Sequence, residues 1–299
     1  MNTGMPFWIG FHVAVFALLA LDLFVFHRRA REVSMSEAAV SSVGWVALSL
    51  VFASYIGAAE GMGKGVEFIT GYVIEYSLSM DNLFLFIMIF GFFKVTARHQ
   101  HKVLLWGILG ALVMRGAVIW AGVALVRRFE WVLYGFGVFL LVTGLRMFVK
   151  KCDEEPADNF VIRASRKWLR VTPEFHGSRF IVRKEGALML TPLALALVVM
   201  SVMDLVFAVD SIPAVFAVTR DPFIVYTSNI CAILGLRSLY FLVAGVASRF
   251  KYLHYGLAAV LTFVGAKMLL AGVAPISSGA SLAVVGVLLG LSVIWSLVG

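Results

Sequence analysis

The stretch 203–213 reads M-D-L-V-F-A-V-D-S-I-P and places two carboxylates, Asp204 and Asp210, inside an apolar run extending from about Pro192 to Val218. About 20 apolar residues suffice for a helix to cross the hydrocarbon core of a bilayer. A carboxylate at that depth costs at least about 2.5 kcal/mol, so each acid is a functional candidate by default. The motif has an echo at 75–82, E-Y-S-L-S-M-D-N. Glu75 and Asp81 stand six apart, as do Asp204 and Asp210, and each second acid precedes a small polar residue, Asn82 or Ser211.

Composition agrees with this reading. Of 299 residues, 61% are hydrophobic and 14% charged, against an apolar share of about 45–50% in soluble domains. The fold class expected is all-α: a polytopic membrane bundle of about nine transmembrane helices. The apolar runs fall near 7–26, 41–59, 66–93, 103–126, 129–149, 191–218, 222–247, 253–273 and 280–298. The net charge of +8 reflects loop lysines and arginines rather than nucleic-acid binding. The two cysteines, Cys152 and Cys231, form no disulfide framework.

The basic residues orient the bundle. Arg28, Arg29 and Arg31 directly follow the first run and no basic residue precedes it, so the run reads as a span and not a cleaved leader. Seventeen of the 25 Lys and Arg fall in alternate loops on one side, while the opposite loops hold Lys64, Arg127, Arg128 and Arg220. The positive-inside rule then predicts an inner-membrane protein with its N-terminus outside and C-terminus cytoplasmic.

The remaining four, Arg115, Arg146, Arg237 and Lys267, lie within apolar runs and complete an internal repeat. Acid, acid, arginine and base recur in order over 66–149 and 191–273, with Arg146 in G-L-R-M (144–147) and Lys267 in G-A-K-M (265–268). Three helices per unit, an odd number, make the repeats inverted, an architecture that places transporter sites at the repeat interface near the midplane. Segment 1–65 supplies two preceding helices, 150–190 a cytoplasmic linker and 274–299 a last helix. In the linker, 160–171 mixes Phe, Ile, Trp and Leu with four basic groups, as an interfacial helix on an anionic leaflet would. A solvated tether is the other reading.

Positions six apart on a helix diverge by about 120°, so the two acids of one helix share a face only if it bends. Pro213 is placed to bend the second motif and to free the Val209 carbonyl; Phe84 stands at that position in the first. Carboxylate, amide and hydroxyl oxygens suit a hard cation such as Mn2+, Mg2+ or Ca2+. The candidate metal ligands are Glu75, Asp81, Asn82, Asp204, Asp210 and Ser211, with Asn229 as an added ligand or a helix–helix hydrogen bond. Arg115 and Arg237 are expected to pair with these acids, as buried salt bridges or as counter-ions when no cation is bound. Outside the motifs, Asp22 reads as reaching the inner interface and His12 as a packing residue. Glu60, Lys64 and Glu67 read as an ordinary solvated turn, with an outer vestibule as the alternative.

The stretches E-Y-S-L-S-M-D-N-L-F (75–84), F-A-V-D-S-I-P-A-V-F-A-V-T (207–219) and Y-T-S-N-I-C-A-I-L-G-L-R-S-L-Y-F (226–241) resemble the TerC family of integral membrane proteins. The N-terminal helix ending in Asp22 and His-Arg-Arg is similar to the Alx branch. The resemblance implies a link to tellurite resistance by name and to manganese homeostasis by function, with Glu75, Asp81, Asp204 and Asp210 as the family's acids. Acids are poor ligands for an oxyanion, so the expected cargo is a divalent cation, exported as Mn2+. Protons and the lipid bilayer are the other partners, and no permanently bound cofactor is expected. Export of two charges against an inside-negative potential costs roughly 4.6 kcal/mol per 100 mV, and no nucleotide-binding motif is present. Proton antiport through the same carboxylates is the expected driving force. The alternative is an accessory protein that assists membrane insertion or metalation of partners; an enzyme is not expected.

Overall fold

In the computed structural model the described residues are 5–27, 34–129, 131–149, 171–172, 175–184, 187–246, 252–271, 273 and 276–298. They form α1 (Met5–His27), α2 (Met35–Glu60), α3 (Met62–Phe92), α4 (Ala97–Arg128), α5 (Val132–Val149), α6 (Pro192–Phe216), α7 (Pro222–Leu234), α8 (Leu236–Val246), α9 (Leu253–Leu270) and α10 (Ser278–Val298). Local chemistry sets several starts. Ser34 and Glu37 form a capping box on α2. Thr191 caps α6 and Asp221 caps α7, each followed by a proline at the first helical position.

Among the described residues, five helices are long and apolar enough to cross a membrane, or six if α7 and α8 form one span. Helices α1, α5 and α9 hold shorter apolar segments. The run 222–247, expected as one helix, is broken at Gly235 and bent by 47°. Helix α6, by contrast, continues through Pro213 to Phe216. A polytopic helical protein is therefore what the chain forms, with large apolar side chains such as Val113, Trp120 and Trp295 on the outside, as a lipid-facing surface requires.

The all-α expectation needs one correction. Ile181–Lys184 (β1) and Ala187–Leu190 (β2) form an antiparallel hairpin with Ile181 opposite Leu190. The short apolar stretches Ile181–Val182 and Leu188–Leu190, with β-branched residues in the first, allow strands, which the linker's length and charge alone do not reveal. The Thr191 hydroxyl donates to the Arg179 carbonyl (2.8 Å) and ties the hairpin to α6. Lys102, near the start of α4, lies 4.8 Å from the Phe180 ring. Of the expected interfacial helix at 160–171, only Val171 is described, in an isolated bridge to Leu190; residues 160–170 and Cys152 lie outside the described residues, as do Arg28, Arg29, Arg31, Arg249 and Lys251.

The core is built from cross-pairing. Helix α3 packs on α6 and α7, α4 on α6 and α7, and α5 lies along α9. Helices α3 and α6 are antiparallel: Leu83 and Phe86 neighbour Met200 and Ser201 at the hairpin end, and Lys64 and Glu67 neighbour Thr219 and Asp221 at the opposite end. Helices α5 and α9 touch backbone to backbone. A Cβ on Gly144 would lie 2.6 Å from the Thr262 nitrogen, and one on Gly265 would lie 2.5 Å from the Leu141 nitrogen. These two glycines open the G-L-R-M and G-A-K-M motifs, and small residues at such positions let helices in lipid approach closely. The basic residues of the same motifs are not equivalent: Arg146 is exposed and Lys267 is buried. Gly144→Ala and Gly265→Ala should each destabilise the protein by about 1–3 kcal/mol through overpacking. Thermal unfolding in detergent would show this as a lowered midpoint, and unchanged midpoints would refute the tight packing.

Candidate ion site

Four helices deliver polar groups to one buried point. Glu75, Arg115 and Asp204 lie in the middle of α3, α4 and α6, and Asn229 lies in α7. Their exposures are 0%, 0%, 6% and 1% respectively. Close approach of α3 and α7 is made possible at Gly71, where a Cβ would lie 3.0 Å from the Ser228 hydroxyl. Asn229, one residue on, thereby reaches α3.

The guanidinium of Arg115 is the hub. It grips Asp204 in a fork, Nη2 donating to Oδ1 at 2.7 Å and Nε to Oδ2 at 3.2 Å. Its Nη1 donates to Glu75 Oε1 and to Asn229 Oδ1, the latter at 3.4 Å. The Asn229 amide donates to Glu75 Oε2 at 2.8 Å, and the Ser79 hydroxyl to Glu75 Oε1 at 3.4 Å. Such bidentate, charge-assisted contacts are the stronger kind of hydrogen bond. The set carries two carboxylates and one guanidinium, a formal charge of −1.

Among the expected ligands the structure thus unites Glu75 of α3 and Asp204 of α6 with Arg115 and Asn229. Asn229 is a helix–helix hydrogen bond, and its partner is one of the candidate acids. Asn82 and Ser211 are buried on the same helices, 8% and 2% exposed, and neither bonds to the Arg115 group. The Ser211 hydroxyl has no hydrogen-bond partner among the described residues. Asp81 and Asp210 lie in α3 and α6, but their side chains fall outside the described residues, as does that of Asp22. Six residues of helix rise about 9 Å. Because α3 and α6 are antiparallel, Asp81 lies towards the hairpin end from the Glu75–Asp204 layer and Asp210 towards the opposite end. Arg237 is buried on α8, two residues beyond the break. Among the described residues, no three His, Cys, Asp or Glu side chains stand close enough to hold a metal ion.

Beside Asp204, on the hairpin side, a cavity of about 20 Å3 is walled by Leu83, Phe86, Leu104, Met200 and Leu236. It has room for roughly one water. His12 is satisfied: its Nδ1 meets the Trp8 carbonyl at 2.8 Å and its Nε2 the Tyr226 hydroxyl at 2.9 Å, which joins α1 to α7 one turn before Asn229. Ser79 was not singled out in the sequence, although it stands within the E-Y-S-L-S motif at the i+4 position that faces Glu75.

Comparison with known proteins adds the lineage. The family model described as "Integral membrane protein TerC family" matches residues 60–298. An uncharacterized membrane protein of Myxococcus xanthus is 47% identical over 99% of this chain and 94% of its own length. Proteins named as candidate membrane-bound redox modulators, Alx, are 48% identical in Escherichia coli K12, covering 95% of this chain and 92% of that one, and 45% identical in Photorhabdus laumondii, covering 98% and 95%. No solved structure matches the chain.

Proposed function

Because the chain belongs to the TerC family of integral membrane proteins, we propose that its buried charge cluster is a transport site, and that the protein exports a divalent cation, Mn2+, across the inner membrane. The observation that carries this reading is the Glu75–Arg115–Asp204 bridge between two antiparallel helices. A buried ion pair is a poor net stabiliser relative to apolar side chains of similar size, so packing alone gives little reason to retain one. With an excess carboxylate, the cluster suits a site that alternates between an internal and an external cation. Arg115 fills the gap when no Mn2+ is bound. A cation arriving at Glu75 and Asp204 displaces it from at least one carboxylate, with the Asn229 carbonyl oxygen as a further ligand.

Asp81 and Asp210, about 9 Å to either side along their helices, extend the site into a path: Asp81 with Asn82 on the cytoplasmic approach, Asp210 with Ser211 on the exit. Arg237, whose neighbour Leu236 walls the hairpin-side cavity, serves the approach acid Asp81 as Arg115 serves the central pair. This reading takes all nine apolar runs as spans and the two three-helix units as inverted repeats. The cross-pairing of α3 with α7 and α4 with α6, and the matched Gly144 and Gly265 contacts, support it. So does the helix break at Gly235 close to Asn229, since discontinuous helices mark the sites of many transporters. Proton antiport through the same carboxylates supplies the energy.

The test is cellular. Cells expressing the chain and loaded with Mn2+ should retain less metal than cells carrying an empty vector. Equal Mn2+ content at verified membrane expression would defeat the proposal and favour a role in assisting partner proteins.

A further inference from the structure

The hairpin carries apolar side chains on both of its faces. Ile181 stands opposite Leu190 and Arg183 opposite Leu188, and direct partners and alternate residues share a face. The face holding Val182 turns inwards: Val182 is buried, and Phe180, two residues earlier, packs against the main core. The other face holds Ile181, Arg183 and Leu188. There Ile181 is 56% and Leu188 72% exposed, where a sheet face turned to water would carry polar side chains. Arg183 and the nearby Arg179 are exposed as well, and neither makes an ion pair among the described residues. The hairpin's position is fixed by the chain. Strand β2 ends at Leu190, two residues before Pro192 opens α6, a helix long and apolar enough to span a membrane. The hairpin therefore lies at the bilayer boundary. Its orientation is held by Lys102, which donates to the Ser178 carbonyl, by the Thr191 hydroxyl on the Arg179 and Phe180 carbonyls, and by the Thr172 N–H on the Leu190 carbonyl.

We propose that the outward face of the hairpin is a membrane-docking surface, and that its partner is the anionic phospholipid of the leaflet at that end. Ile181 and Leu188 enter the boundary between headgroups and acyl chains, and Arg179 and Arg183 meet lipid phosphates. Apolar side chains exposed at that height are stabilised by lipid and not by water, and the guanidinium fork matches a phosphate in geometry. The charge is complementary. Residues 160–191 hold seven Lys and Arg against two Glu, the turn between α3 and α4 at the same end adds exposed Lys94 and Arg98, and basic segments beside a span are drawn to an anionic leaflet. Docking fixes the point at which α6 enters the membrane. Asp204 lies twelve residues further along that helix, about 18 Å away, so the surface is distinct from the Arg115 cluster and does not rest on the transport reading.

The experiment uses the full-length protein in phosphatidylcholine nanodiscs containing a trace of photoreactive lipid, its reactive group beside the head. Two probes of the same design are compared, a phosphatidylglycerol and a phosphatidylcholine, and labelled peptides are located by mass spectrometry. In wild type the phosphatidylglycerol probe should label residues 175–190 at least about fivefold more than the phosphatidylcholine probe, the preference that one cation near an anionic surface supplies. Arg179→Gln combined with Arg183→Gln, both exposed and outside the ion site, should bring the two probes to within about twofold of each other. Ile181→Ser combined with Leu188→Ser should lower labelling by both probes, since the apolar insertion is lost. No labelling of 175–190 in wild type would leave the face to water or to protein and overturn the proposal. Equal labelling of wild type by the two probes, or an undiminished preference in the double arginine variant, would overturn it as well.

Discussion

Arg115→Met should cripple folding. The substitution leaves Glu75 and Asp204 buried together with no counter-ion, since Arg115 is the cation that bridges them. Removing one partner from a buried pair costs about 3–5 kcal/mol, and here two carboxylates lose theirs. A loss of that size exceeds a hundredfold in the folded-to-unfolded ratio. Detergent-extracted Arg115→Met should run as aggregate in size-exclusion chromatography or melt far below wild type. The triple variant Arg115→Met, Glu75→Gln, Asp204→Asn should recover a monodisperse peak, because the charges that needed Arg115 are gone. A single mutant as stable as wild type, or a triple mutant no better than the single, would remove the bridge from the account of stability.

Glu75→Gln and Asp204→Asn should do the reverse: spare the fold and abolish transport. Each keeps the side-chain volume nearly unchanged, leaves Arg115 paired with the other acid, and takes the formal charge of the cluster from −1 to zero. With one central carboxylate already neutralised by Arg115, a divalent cation has too little charge to meet its dehydration cost, and hard cations select carboxylate oxygens. Mn2+ efflux from cells should fall at least about tenfold, to the level of the empty vector, while membrane abundance stays at the wild-type level. Wild-type efflux by both variants would exclude these acids from the path. Loss in only one would assign the cation mainly to that acid's helix.

The central acids and Arg115 were legible because charge inside an apolar run is an outlier whatever the fold. Their convergence was suggested only by the recurrence of the acidic motif in two apolar runs, and the packing of α3 on α6 brings Glu75 and Asp204 together. Other features left weaker traces. An asparagine in mid-helix, such as Asn229, serves equally as a ligand or a helix tie, and only the neighbour across the interface decides which. The break at Gly235 falls in a continuous apolar run, where a glycine passes as ordinary small-residue packing. Lys64, Glu67, Thr219 and Asp221 sit at helix ends, where polar residues usually meet water, so their gathering into one pocket with Lys267 required the tertiary structure. Pairing Arg146 with Lys267 by charge was misleading. What these motifs share in space is the glycine two residues earlier, because close helix contact constrains that position while a long basic side chain is free to leave it.

The most direct measurement is Mn2+ flux in proteoliposomes made with the purified protein alone. Wild type should carry Mn2+ across the bilayer faster when protons run in the opposite direction, and Asp204→Asn, reconstituted at equal density, should match protein-free liposomes. Mn2+ movement no faster in wild-type vesicles than in empty ones, with the protein verified as folded, would contradict the account.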